Sequence, residues 1–249
     1  MSQFLNHRRK TAGNAAAATG WRRNTWKNGR IPVNRHGEVL AVKLPGRESR
    51  TGEPFCDNMQ QIVDDVISAL LPLLKEKPFA LFGHSFGALT SFAVAEDLKK
   101  VHNLEPVHMF LSGASAPHSE TRLKGPKRSE LSDGEFLRWL ASVGGTPPEL
   151  LANPDVVRLF LPALKADLRV VENYRRSEPD APVLSCPVTC FDGKEDVPHD
   201  LQAWRNVTSG DFTVKMFDGA HFYLKDAGNE KILLDFITNT LEAAEMHFL

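Results

Sequence analysis

Short apolar runs that end in turn residues alternate along this chain with longer stretches whose apolar residues recur every three or four positions. "GEVLAVKLPG" (38 to 47), "FALFG" (79 to 83), "VHMFLSGA", "VTCFDG" and "FTVKMFDG" have the length and the flanking turns of strands. Between the first two, Met59, Ile62, Val63, Val66, Leu70 and Leu74 keep helical spacing, and Asp57 or Asn58 is placed to cap that helix. "GALTSFAVAEDLKK" and the closing "NEKILLDFITNTLEAAEM" also read as helices. Strands alternating with helices predict an α/β fold, a mostly parallel sheet with helices on both faces.

Residues 116 to 180 interrupt the alternation. "SDGE" (132 to 135) and "TPPE" (146 to 149) fit capping boxes, the second with Pro147 as first helical residue, and Asn153-Pro154 opens a further helix. Three or four helices are therefore expected between two strands of the sheet. On the last of them Leu164, Leu168 and Val171 form an apolar stripe, suited to core packing or to lining a ligand surface. The expected organisation is a core of residues 38–115 and 181–249, a helical lid of 116–180, and an atypical segment of 1–37.

Composition narrows the class. A chain of 249 residues, 42% hydrophobic, can bury one sizeable core. With 30 Lys and Arg against 31 Asp and Glu, nothing in the charge calls for nucleic acid. No apolar run reaches membrane-span length and no secretory h-region follows Met1, so a cytoplasmic location is expected. The first 37 residues are acid-free and carry Arg8, Arg9, Lys10, Arg22, Arg23, Lys27, Arg30 and Arg35 around the run Ala15 to Ala18. They are read as a solvated, poorly ordered tail, with a mitochondrial transit peptide as the minor alternative. Cys56, Cys186 and Cys190 make no disulfide framework, and no CxxC or HExxH motif points to a metal.

The chemistry gathers around "GHSFG" (83 to 87), where a strand meets a helix. Such an elbow exposes its serine, Ser85, on a strained turn, and glycines on either side remove side chains that would collide. A hydroxyl at neutral pH needs a base, a group to orient that base, and donors for an oxyanion. The Phe86 backbone N–H, at the start of the helix, is the expected first donor. For elbows of this kind the order is serine, acid, histidine, each on a loop after a strand. His221, in "GAHFYL", follows the last strand. Asp196 follows "VTCFDG" and is preferred over Asp192, which sits too close to the strand end, and Asp200, which is placed to cap "LQAWRNV". His84 is expected to point away from Ser85, and His108, His118 and His199 are read as surface or hydrogen-bonded histidines without a role.

"LPGRESR", "KPFALFGHSFGA", "LSDGEFLRWLASVGGTP", "KADLRVVENY", "PVTCFDGKEDV", "AWRNVTSG" and "GAHFYL" follow one another in an order that resembles the type II thioesterases, most of all the medium-chain branch serving animal fatty acid synthase. The likeness runs from about Glu38 to Leu241. It implies an α/β-hydrolase fold and release of a free fatty acid from the phosphopantetheine arm of an acyl carrier domain. The same likeness makes Ser85 the nucleophile, His221 the base and Asp196 the acid. It also implies an acyl tunnel beside Leu164, Leu168 and Val171. No cofactor is implied beyond the arm the substrate carries, and the implied partner is fatty acid synthase or its carrier domain. Arg47 and Glu48 match the family either as an ion pair or as substrate contacts. The front of the chain departs from the pattern: the first strand and the Gly-rich loop that gives a second oxyanion donor are expected to be absent or degenerate, so that donor is unassigned. Two other readings stay open, a catalytically impaired binding module and a general serine esterase.

Overall fold

The computed structural model describes residues 15–19, 38–123 and 126–246. Among these residues six strands form one sheet: β1 (Ala15–Thr19), β2 (Glu38–Ala41), β3 (Phe79–His84), β4 (His108–Ser112), β5 (Val188–Gly193) and β6 (Phe212–Phe217). Their order is β2-β1-β3-β4-β5-β6, and every pairing is parallel. The helices are α1 (Met59–Leu74), α2 (Phe86–His102), α3 (Asp133–Val143), α4 (Pro148–Leu151), α5 (Pro154–Asn173) and α6 (Ala227–Met246).

The alanine run corrects the sequence reading. Ala15 to Thr19 is an inner strand, paired with Glu38–Ala41 on one side and with Phe79–Gly83 on the other. The first strand is therefore present. Alanine is a weak strand former and a run of it has no alternation, so nothing local announced a strand among the arginines. Only its two partners, far along the chain, define it.

The middle strands show why parallel strands read as unbroken apolar runs. All residues of β3, β4 and β5 are buried, because helices cover both faces. Successive side chains divide between those faces. Phe79 and Leu81 join the cluster formed with α1 and α2, whereas Ala80 and Phe82 join Phe110, Phe191 and Phe217 in the cluster against Leu233 and Leu241 of α6. Trp204 is fully buried and donates its indole N–H to the Ala114 carbonyl at 2.8 Å. Cys186 precedes β5, Cys190 lies within it, and both thiols are free and buried.

Local capping signals were mostly sound. Asn58 caps α1, Ser132 and Glu135 make a reciprocal capping box on α3, and Asn153 caps α5. The exception is "TPPE": Pro147 is the N-cap and Pro148 the first helical residue. A residue before proline is kept out of the helical region, so Pro147 stays extended at φ −55°, ψ 136°.

Helices α3 to α5 lie between β4 and β5 and have their own small core of Phe136, Leu140 and Leu161. Polar ties hold them to the sheet layer. Arg47, in the loop after β2, grips Asp167 of α5 with two hydrogen bonds of 2.7 Å. Arg122 donates to the carbonyls of Val171 and Tyr174 at the end of α5. Arg47 thus pairs with Asp167, while Glu48 meets Lys43 at 3.0 Å.

Candidate active site

Ser85 stands where β3 turns into α2, with φ 56° and ψ −115°. That left-handed backbone is costly for a residue with a Cβ and persists only where the surroundings enforce it. Here the Ser85 N–H donates to the Ser112 carbonyl at 2.7 Å, anchoring the elbow to the end of β4. Gly83 makes the turn possible: a Cβ there would lie 2.0 Å from the Gly87 carbonyl oxygen. The Ser85 side chain is half-buried. Phe86 is the first residue of α2, so its N–H has no intrahelical acceptor and sits at the positive end of the helix dipole.

His221 and Asp196 come from the loops after β6 and β5. His221 Nδ1 donates to Asp196 Oδ2 at 2.7 Å, and both side chains are largely shielded from solvent. Burial pushes the Asp196 carboxyl upward, but the hydrogen bond from His221, the nearby imidazoles and the Val197 N–H outweigh it and hold the group below the usual carboxylate range. With Nδ1 committed to Asp196, Nε2 is the nitrogen of His221 left to take a proton.

The competing acids have other partners. Asp192 accepts from His199 Nδ1 at 2.8 Å; Asp200 is not the expected cap, since Leu201 is the N-cap of the short helix 202–207, but from one residue earlier it accepts from the Ala203 N–H at 3.1 Å. His199 was read as having no role, yet its Nδ1 also lies 3.8 Å from Asp196 Oδ2. Burial lowers its pKa, but the bond to Asp192 and the charges of Asp192 and Asp196 raise it above the ordinary value. The only signal in the sequence was its spacing, three residues beyond Asp196.

His84 is also closer to the chemistry than expected. Its ring lies 4.8 Å from that of His221. Its Nδ1 bonds Ser112 Oγ at 2.8 Å, and Ser112 Oγ meets Tyr223 Oη at 2.7 Å, so one buried chain links the elbow, the end of β4 and the loop of His221. Its Nε2 is buried with no hydrogen-bond partner among the described residues. Burial, and then the proximity of His221, hold its pKa down to about 3, which keeps it neutral. Gly113, at φ +61°, fits against both rings; a Cβ there would stand 2.8 Å from His84 Cε1 and 3.4 Å from His221 Cε1.

The stripe on α5 packs inward. Leu164 and Leu168 join the core of the inserted helices, and Val171 packs on the main core. At the other flank Thr19, the last residue of β1, pairs with Gly83, two residues before Ser85. Residues 20–37 lie outside the described residues, and the second oxyanion donor keeps no assignment.

A parallel sheet with a strained serine at its strand-to-helix elbow, and an Asp–His pair on the loops after β5 and β6, defines an α/β-hydrolase. The chain belongs to the Thioesterase domain family, whose model matches residues 25–241, and so stands among the hydrolases that act on thioesters. It is 43% identical over 214 residues to the medium-chain S-acyl fatty acid synthase thioesterase of Rattus norvegicus, covering 86% of this chain and 81% of that protein. Its fold is similar to that of human thioesterase 2, with a TM-score of 0.70 and 32% identity over 94% of this chain and 98% of the other. It is also similar to the RedJ thioesterase of the prodiginine pathway in Streptomyces coelicolor, with a TM-score of 0.80 and 29% identity over 92% and 90%. No helix among the described residues is long and apolar enough to cross a membrane.

Proposed function

We propose that the protein hydrolyses acyl thioesters carried on the phosphopantetheine arm of an acyl carrier domain of fatty acid synthase, in the cytoplasm, and releases a free medium-chain fatty acid. The observation that carries the reading is the His221–Asp196 hydrogen bond next to the strained Ser85 elbow. The name of the rat relative supports the substrate class.

Each residue then has one task. Ser85 Oγ attacks the thioester carbonyl as His221 Nε2 takes its proton, and Asp196 holds the imidazole in the tautomer with Nδ1–H and stabilises the imidazolium. The Phe86 N–H donates to the oxyanion. The pantetheine thiol leaves with the proton from His221, forming an acyl-serine. His221 next takes a proton from water, which attacks the acyl-serine, and Ser85 regains its hydrogen as the fatty acid departs. No cofactor takes part.

The test is thiol release from decanoyl-carrier protein by the full chain beside Ser85→Ala. Serine-dependent release supports the reading. A folded, inactive wild-type chain that still binds the carrier would put a binding module in its place, and a preference for short soluble esters would favour a general esterase.

A further inference from the structure

The acid side of the triad holds more donor atoms than hydrolysis needs. Asp196, His199 and His221 each offer one ligand atom, and these atoms lie within 4.8 Å of one another. Around Asp196 Oδ2, His221 Nδ1 stands at 2.7 Å and His199 Nδ1 at 3.8 Å. Four-coordinate zinc, with bonds to nitrogen and oxygen of about 2.0 to 2.1 Å, sets its donors about 3.4 Å apart. The two observed separations straddle that value.

Charge and access point the same way. Asp192 Oδ2, 2.8 Å from His199 Nδ1, adds a second largely buried carboxylate beside the three donors. The nearest lysine in the loop, Lys194, is engaged with Asp218 at 2.5 Å. A cavity of about 440 Å³ opens onto Asp192, Asp196 and His199 beside Val214 and Met216 of β6, and neither Ser85 nor His221 lines it. An ion can therefore approach without passing over the nucleophile.

We propose that Asp196, His199 and His221 form an inhibitory site for a divalent transition cation, with zinc the best match to one carboxylate and two imidazoles. Zinc takes the Nδ1 lone pair of His221, and the single proton of the neutral ring moves to Nε2. A nitrogen that already carries a proton accepts none from Ser85. His199 makes the same change of tautomer, its bond to Asp192 giving way to the metal. No redox step is involved, and removing the ion restores the original tautomers.

Binding is tested on the metal-free full chain carrying Ser85→Ala, by calorimetric titration with zinc; this arm stands apart from the proposed function. One site per chain with a roughly micromolar Kd is expected, and no binding at about 100 µM zinc overturns the site. Inhibition is tested on the wild-type chain with p-nitrophenyl decanoate, because a thiol product would itself sequester zinc. Zinc should abolish hydrolysis over the same concentrations and EDTA should restore it. His199→Ala should remain active and need at least about tenfold more zinc in both assays, while His199→Cys, which supplies a thiolate ligand, should recover sensitivity. Equal zinc sensitivity of His199→Ala and wild type would overturn the proposal. Binding through His199 without inhibition would overturn the inhibitory site; the inhibition arm rests on His221 as the base of the proposed function, and a wild-type chain that fails to hydrolyse the ester counts against that function instead.

Discussion

His84, which precedes the elbow serine, packs its ring 4.8 Å from the ring of His221, which arrives from the far end of the sheet. A buried, neutral imidazole thus braces the imidazole that carries charge in the proposed mechanism. Because the His84 pKa falls from its ordinary 6.5 to about 3, the unfolded chain binds a proton that the native chain does not. Its contribution to stability is full above about pH 6.5 and is lost as pH falls toward 3. Thermal unfolding of wild type and His84→Asn across pH 7 to 4 should show a shallower acid loss in the variant. Parallel curves would remove His84 from the acid sensitivity of the fold.

Gly113→Ala should damage the site more than its size suggests. The new methyl would meet His84 at 2.8 Å and His221 at 3.4 Å on a backbone with φ +61°. The left-handed conformation alone costs about 1 to 2 kcal/mol, and displacement of His221 should slow turnover by about 100-fold. The rate at which a fluorophosphonate labels Ser85 reports this directly, and an unchanged rate would show that the two rings tolerate the methyl.

Asp196 and Asp192 can be separated by replacement. Asp196→Asn should lower kcat by about 10⁴-fold, because an amide neither holds the Nδ1–H tautomer nor stabilises the imidazolium. Asp192→Asn, whose partner is His199, should leave most of the activity. If the two variants lost activity equally, the acid would not be Asp196 alone.

The tie between Arg47 and Asp167 should report on how the inserted helices are held. The pair is bidentate and only partly exposed, so a double-mutant cycle of Arg47→Ala and Asp167→Ala in urea unfolding should give a coupling of about 1 kcal/mol. Arg47→Lys should recover little of it, since an ammonium cannot make the paired contact. Zero coupling would mean that the apolar contacts of α5 suffice.

What could be read along the chain was whatever is written in neighbouring residues. The elbow at Gly83 to Gly87, the apolar β3 to β5, the Ser132 capping box and the order Ser85, Asp196, His221 all rest on local spacing and on the chain order that a parallel sheet imposes. Three features were settled only by folding. Ala15–Thr19 is a strand because β2 and β3 flank it. His84 meets His221 because the ends of β3 and β6 converge on Gly113. His199 shares the surroundings of Asp196 because the loop after β5 folds back on itself. The first two depend on backbone pairing or on contact between distant loops and the third on how a single loop turns, and periodicity carries none of these, since it records only which face a residue turns to its own element.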